Sequence, residues 1–327
     1  MIRYLRSFYW VGLIGLLMAV AVLALSGCGS SAPRQEGPAE DADLERFNRA
    51  GRQAFDKGQL RQAANFYRRA LDRAYVRDDS AAILDAQYNL AVCLMNLQSY
   101  EEALAVVQRA HTEMTLTGHG RSFDFLLLEA TILHRRGDPD EAWKITDQIL
   151  SASTQASSVI MGRTHFLRGL IAGEQGDMDQ LRAAIAALGQ PKELQLRADR
   201  QELVGRLAMA EQNWDAAIGA FDAAAKLRRE ALDYRGMVRA LVWGGDASDK
   251  AERIREAATY YLRAGRSAFL QDQFDDDAQK WLNRAVQLAN TAGEDQIIQE
   301  ARSFLRQIEA LTATTPKGSG KKATPAE

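Results

Sequence analysis

Between about Asp41 and Leu311, apolar residues recur at the three- and four-residue spacing of helices with one buried face. Breaks interrupt this pattern every sixteen to twenty residues, and the breaks are alike. They read Gly58-Gln59-Leu60-Arg61-Gln62-Ala63, then Gln98-Ser99-Tyr100-Glu101-Glu102-Ala103, then Gly137-Asp138-Pro139-Asp140-Glu141-Ala142. Weaker copies start at Gly176, Gln212 and Glu252, and a seventh, from Asp272, carries one extra residue. Gly58, Gly137 and Gly176 suit the left-handed residue that ends a helix. Ser99 with Glu102 predicts a capping box for the helix that follows, and Asp138-Pro139-x-Glu141 predicts a second with Pro at the first helical position. Each break is thus expected to be the corner of a helical hairpin. Ala63, Ala103, Ala142 and Ala217 would let two helix backbones approach, with Tyr67, Val107 and Phe221 filling the space beside them.

The small anchor positions are spaced by 40, 39, 39, 36 and 40 residues, with Leu181 in place of the expected Ala. The last interval, Ala257 to Ala278, is only 21. It predicts one long helix over 254–271 that closes one unit and opens the next, and a final helix near 295–311 that caps the array. A single such hairpin cannot bury its apolar face, so neighbours must stack.

These units resemble the tetratricopeptide repeat, a helix–turn–helix of about 34 residues with small residues where its helices touch. The first copy carries the resemblance best, with Ala50-Gly51 in helix A, Gly58 at the turn, and Ala63, Tyr67 and Ala70 in helix B. Leu90-Ala91, Ala103 and Ala110 repeat the scheme, as do Gly205, Ala217, Phe221 and Ala224. The peptide Arg49-Ala50-Gly51-Arg52-Gln53-Ala54-Phe55 returns as Arg263-Ala264-Gly265-Arg266-Ser267-Ala268-Phe269. The resemblance implies an all-α solenoid of stacked antiparallel hairpins, coiled into a right-handed superhelix with a concave working face. It also implies that helix A of each unit lines that face. Carried onto this chain, the lining would be Asn48, Arg52, Phe55 and Asp56, then Asp85, Tyr88, Val92, Met95 and Asn96. His134, Arg135, Glu202, Arg206 and Met209 would follow. The Lys/Asn clamp that some members use for carboxyl-terminal peptides is not reproduced, since Asn48 and Arg52 stand at its first two places.

Composition agrees with a helical chain. Six Pro in 327 residues and 46% hydrophobic content leave little for strands. A formal charge of −2 without a basic stripe speaks against nucleic acid. Cys28 and Cys93 cannot form a disulfide framework or a zinc cluster, and the apolar neighbours of Cys93 predict a buried, inert thiol. His111, His119, His134 and His165 are scattered, and no metal-ligand spacing, phosphate loop or nucleophile elbow occurs. No catalytic residue, cofactor or metal is expected. Trp143, Trp214, Trp243 and Trp281 are expected in the core, with an aromatic binding stripe as the lesser alternative, and Gly244-Gly245 in a close helix contact.

The first residues carry a separate signal. Arg3 and Arg6 precede an uncharged run from Phe8 to Leu25, which ends in Leu25-Ser26-Gly27-Cys28. A charged start, an apolar stretch and a small-residue end describe a secretory signal. Its last four residues resemble the lipobox of bacterial lipoproteins, which implies diacylglycerol on the Cys28 thiol, cleavage before it and lasting attachment through several acyl chains. The alternative is an uncleaved transmembrane helix. Gly29, rather than Asp, after the Cys implies the outer membrane in a two-membrane cell. The expected organisation is a signal over 1–27, a lipidated tether over 28–41, helical repeats over 42–311 and a disordered tail over 312–327. The function expected is a membrane-anchored, periplasm-facing adaptor that holds other envelope proteins or peptides in its groove. An assembly factor for a pilus, secretion or outer-membrane protein machine is the narrower alternative, and a small-ligand or glycan receptor the remoter one.

Overall fold

We describe the protein from a computed structural model over residues 41–118, 122–152, 154–271 and 276–314. Cys28, the signal, most of the tether and the tail beyond Thr314 lie outside these residues, as does His119. Asp43 onward forms one compact unit. Among the described residues it contains fourteen helices and no strand. They are α1 (Ala42–Asp56), α2 (Leu60–Val76), α3 (Ser80–Asn96), α4 (Tyr100–Thr117), α5 (Ser122–Arg136), α6 (Pro139–Ser151) and α7 (Ser158–Gln175). There follow α8 (Met178–Leu188), α9 (Leu194–Ala210), α10 (Trp214–Glu230), α11 (Tyr234–Lys250), α12 (Ile254–Gln271), α13 (Asp276–Ala292) and α14 (Asp295–Thr314). From α2 onward each packs on its neighbours in sequence, α1 packs on α2 through Gly51 against Tyr67, and α3, α5, α7 and α9 also touch in succession, forming one wall. None of the described helices is long and apolar enough to cross a membrane.

The corners are built alike. Wherever two helices meet in a tight turn, one residue adopts a positive φ: Gly58, Asp78, Gln98, Gly137, Gly176, Gln212, Leu232, Glu252 or Gly293. The next amide then reaches back to a helix carbonyl, as Gln59 N to Ala54 O at 2.9 Å and Asn213 N to Ala208 O at 2.8 Å. This satisfies carbonyls that the helix end would leave bare. Asp79, Ser157, Asp177, Asn213 and Asp233 then cap the following helix with a side-chain oxygen.

The two capping boxes expected at Ser99 and Asp138 do not form. Their own amides are already bound, Ser99 N to Leu94 O at 2.9 Å and Asp138 N to Leu133 O at 3.0 Å. The reciprocal half of a box therefore has no donor left. Glu102 takes Arg68 at 2.6 Å instead, and Asp138 takes Arg136.

The anchor positions do close the hairpins. Ala63, Ala103, Ala142, Leu181, Ala217 and Ala257 are wholly buried. A methyl group on Gly205 would stand 2.6 Å from the Phe221 ring, and on Gly244 3.0 Å from the Tyr260 ring, so at these points bare glycine backbone makes room for an aromatic side chain. The long helix expected over 254–271 is α12, packed on α11 on one side and on α13 and α14 on the other. Cys93 is buried, and burial pushes its thiol up to about 12. The apolar interior is thickest at the two ends of the array, around α1–α5 and α10–α14, and thinner around α6–α9.

Candidate functional site

The inward stripe of the helix wall lines two adjoining hollows. One, of about 520 Å³, runs past Tyr88, Val92 and Met95 of α3, Leu128, Thr131 and Arg135 of α5, Phe166 and Leu170 of α7, and Arg206 of α9. The other, of about 390 Å³, lies where the ends of the array approach each other. Asp56, Leu60 and Asn96 line it from the first hairpins, and Arg235, Arg239, Val242, Trp243 and Trp281 from α11 and α13. Arg239 borders both.

The floor between them is a charged network. Glu202 is wholly buried midway along α9. Arg228 reaches it from α10 at 2.7 Å, Arg239 from α11 at 2.9 Å, and Arg206 from one turn onward at 3.4 Å. Arg228, itself buried, also donates to Asp199 at 2.9 Å and Asp233 at 2.7 Å. Gly236 permits this arrangement, since a methyl group there would collide with both Asp233 and Arg228. Burial would push the Glu202 carboxyl up, but Arg239, Arg228 and Arg206 together outweigh it and hold the group down at about 2. Burial dominates at Asp199, with Glu202 adding repulsion, and raises it to about 6 despite Arg228.

Above this floor stand aromatic and cationic side chains. Trp243 stacks on Phe221 at 5.9 Å, and the Arg206 guanidinium lies 4.7 Å over the same indole. Arg235 lies 5.6 Å over the ring of Phe55, joining α11 to α1 through side chains. Arg135 donates to Asn96 at 3.2 Å, and burial, then the guanidinium of Arg239, lower its pKa. His134 sits 3.7 Å from Glu174, and burial favours its neutral form.

Of the groove residues expected from sequence, Tyr88, Val92, Met95, Asn96, His134, Arg135, Glu202 and Arg206 line these hollows, with Asp56 at the end cavity and Phe55 beneath Arg235. Asn48, Arg52 and Asp85 are not among the lining residues, and Met209 packs on the apolar core. Glu202 belongs to the floor rather than the open surface, because three arginines converge on it. Arg235 and Arg239 were not among the groove residues expected from sequence, and Trp243 and Trp281, expected in the core, both pack on it and line the end cavity. Arg235, Arg239 and Trp243 follow one another at four-residue intervals on α11. That spacing is the signal that marks these three as one stripe. His111 pairs with Glu129 at 2.9 Å beside Phe125.

Residues 48–113, the span of the first two hairpins, match the profile of a tetratricopeptide repeat family. None of the curated proteins matches the chain significantly. The solved apo form of RapI aligns with a TM-score of 0.50 at 12% identity, covering 83% of this chain and 77% of that one. A tetratricopeptide repeat protein from Parabacteroides merdae aligns at 0.41 and 16% identity over 82% and 100% of the two chains. Yeast Tom70 aligns at 0.43 and 14% identity, over 86% and 69%. The likeness to RapI is one of fold.

Proposed function

We propose that this chain, whose first two hairpins match a tetratricopeptide repeat profile and whose helices continue as a similar stack, is a protein-interaction scaffold that works through its inner face. The observation that carries this reading is the lining of that face. Tyr, Met, Phe and Trp sit beside Arg over a rigid charged floor, the mixture that dominates the energetics of protein interfaces. The hollow is a long groove between helices, suited to an extended segment of a partner. We further propose that Cys28 is lipidated and that the scaffold is held at an envelope membrane facing the periplasm. The lipobox-like Leu25-Ser26-Gly27-Cys28 supports this.

Affinity purification of the tagged full-length protein from gently solubilised membranes tests both. A Thr131→Trp variant would fill the groove at α5 without altering any charge. A partner that copurifies with the wild type and is lost with Thr131→Trp supports the scaffold. Recovery of the protein alone at normal abundance overturns it. Cys28→Ala is expected to move the protein from the membrane to the soluble fraction, and continued membrane retention would overturn the lipid anchor.

A further inference from the structure

Arg235 and Arg239 of α11 line the end cavity, and Arg135 of α5, which lines the adjoining hollow, reaches its edge by donating to Asn96. Only Arg239 is neutralised, and it shares Glu202 with Arg228 and Arg206. Among the described residues, no carboxylate lies within 4 Å of the guanidinium of Arg135 or of Arg235. Their partners are the Asn96 amide oxygen and the Phe55 ring. The Nε groups of Arg206 and Arg228 are buried with no hydrogen-bond partner. Asp56 is the one acid at the end cavity among the described residues. Like charges gathered in a concavity repel, and the cost falls when an anion enters. The neighbouring wall is apolar, formed by Val242, Trp243 and Trp281.

Resting on the scaffold reading, we infer that the end cavity takes an acidic peptide segment, with its carboxylates between Arg135 and Arg235 and an adjacent apolar side chain against Trp243 and Trp281. Guanidiniums suit carboxylates because they offer paired donors in one plane. A cavity of about 390 Å³ has room for two or three side chains rather than a folded surface. The site draws on both ends of the array and is remote in sequence from Asn48 and Arg52. A peptide seated there would join α11 to α5 beside the contact of Arg235 with Phe55 of α1.

The test is fluorescence polarisation with the full-length protein in detergent and a fluorescein-labelled peptide of alternating Glu and Phe. Its Gln–Phe counterpart and inorganic phosphate are the comparison probes. The acidic peptide is expected to bind, the Gln–Phe peptide not. Arg135→Gln and Arg235→Gln should each weaken binding about tenfold, the loss of one charge-assisted contact. Arg306→Gln, on the exposed side of α14, should leave it unchanged. Removing the repelling acid with Asp56→Asn should tighten it. Absence of acidic-peptide binding overturns the inference. So does equal binding of the two peptides, full displacement by phosphate at equal concentration, or indifference to both arginine variants. Capture of a cellular partner by wild type and Arg135→Gln alike would overturn this inference while leaving the scaffold standing.

Discussion

Glu202 brings a full charge into the interior of α9, and three guanidiniums keep it there. A buried charge whose partners are removed costs far more than the pair contributes. Glu202→Gln is therefore expected to destabilise the fold by about 3 kcal/mol at neutral pH, measured by urea unfolding. An unchanged midpoint would show that the network is neutral to stability. Asp199 and Glu202 also give opposite pH signatures. Glu202 is held below its usual 4.5, at about 2, so the stability it contributes is present above 4.5 and is lost as pH falls toward 2. Asp199 is raised from 3.8 to about 6, so its contribution is fully present below 3.8 and is lost as pH rises through 6. The wild type should therefore gain Tm relative to Asp199→Asn as pH falls from 7 to 4. A constant difference between the two proteins across that range would refute the raised carboxyl.

At the level of the helices, the corner turn imposes a left-handed residue whatever the sequence supplies. Leu232 adopts φ 58 there while largely exposed, a conformation that a branched side chain resists. Leu232→Gly should stabilise by about 1 kcal/mol, because the strain goes and no core contact is lost. Gly205→Ala should do the reverse. The helix gains about 1 kcal/mol of propensity, but the new methyl meets Phe221, which is buried and stacked on Trp243, and overpacking costs about 1–3 kcal/mol. A net loss is the expected outcome, read as a lower urea midpoint. Helix existence, the corner positions and the double duty of α12 were legible in the sequence because small residues and breaks recur at fixed intervals. The cap chemistry at Ser99 and Asp138 was not, because the turn amide that competes for the box appears only once residue 98 or 137 turns left-handed. Arg235 and Arg239 escaped for another reason. Periodicity says which way a helix faces, but not that the sixth hairpin comes back opposite the first.

Across the whole solenoid, the cores are unequal. The clusters around α1–α5 and α10–α14 are large, while α8 has eleven residues and lies in the thinnest part. In a stack of repeats, local stability follows the local core and its neighbours. Amide hydrogen exchange should therefore be fastest in α6–α8 and slowest in α11–α13. Uniform protection would show that the array unfolds as one cooperative block.

Most helical arrays gain or lose a hairpin with little consequence, since each unit touches only those beside it. Here Arg235 of α11 meets Phe55 of α1, so the count itself is fixed by geometry. Insert one hairpin between them, or delete one, and the superhelical path carries Arg235 past its counterpart by a full unit, even though every remaining hairpin still folds. In this protein the number of hairpins between α1 and α11 decides whether Arg235 and Phe55 meet at all.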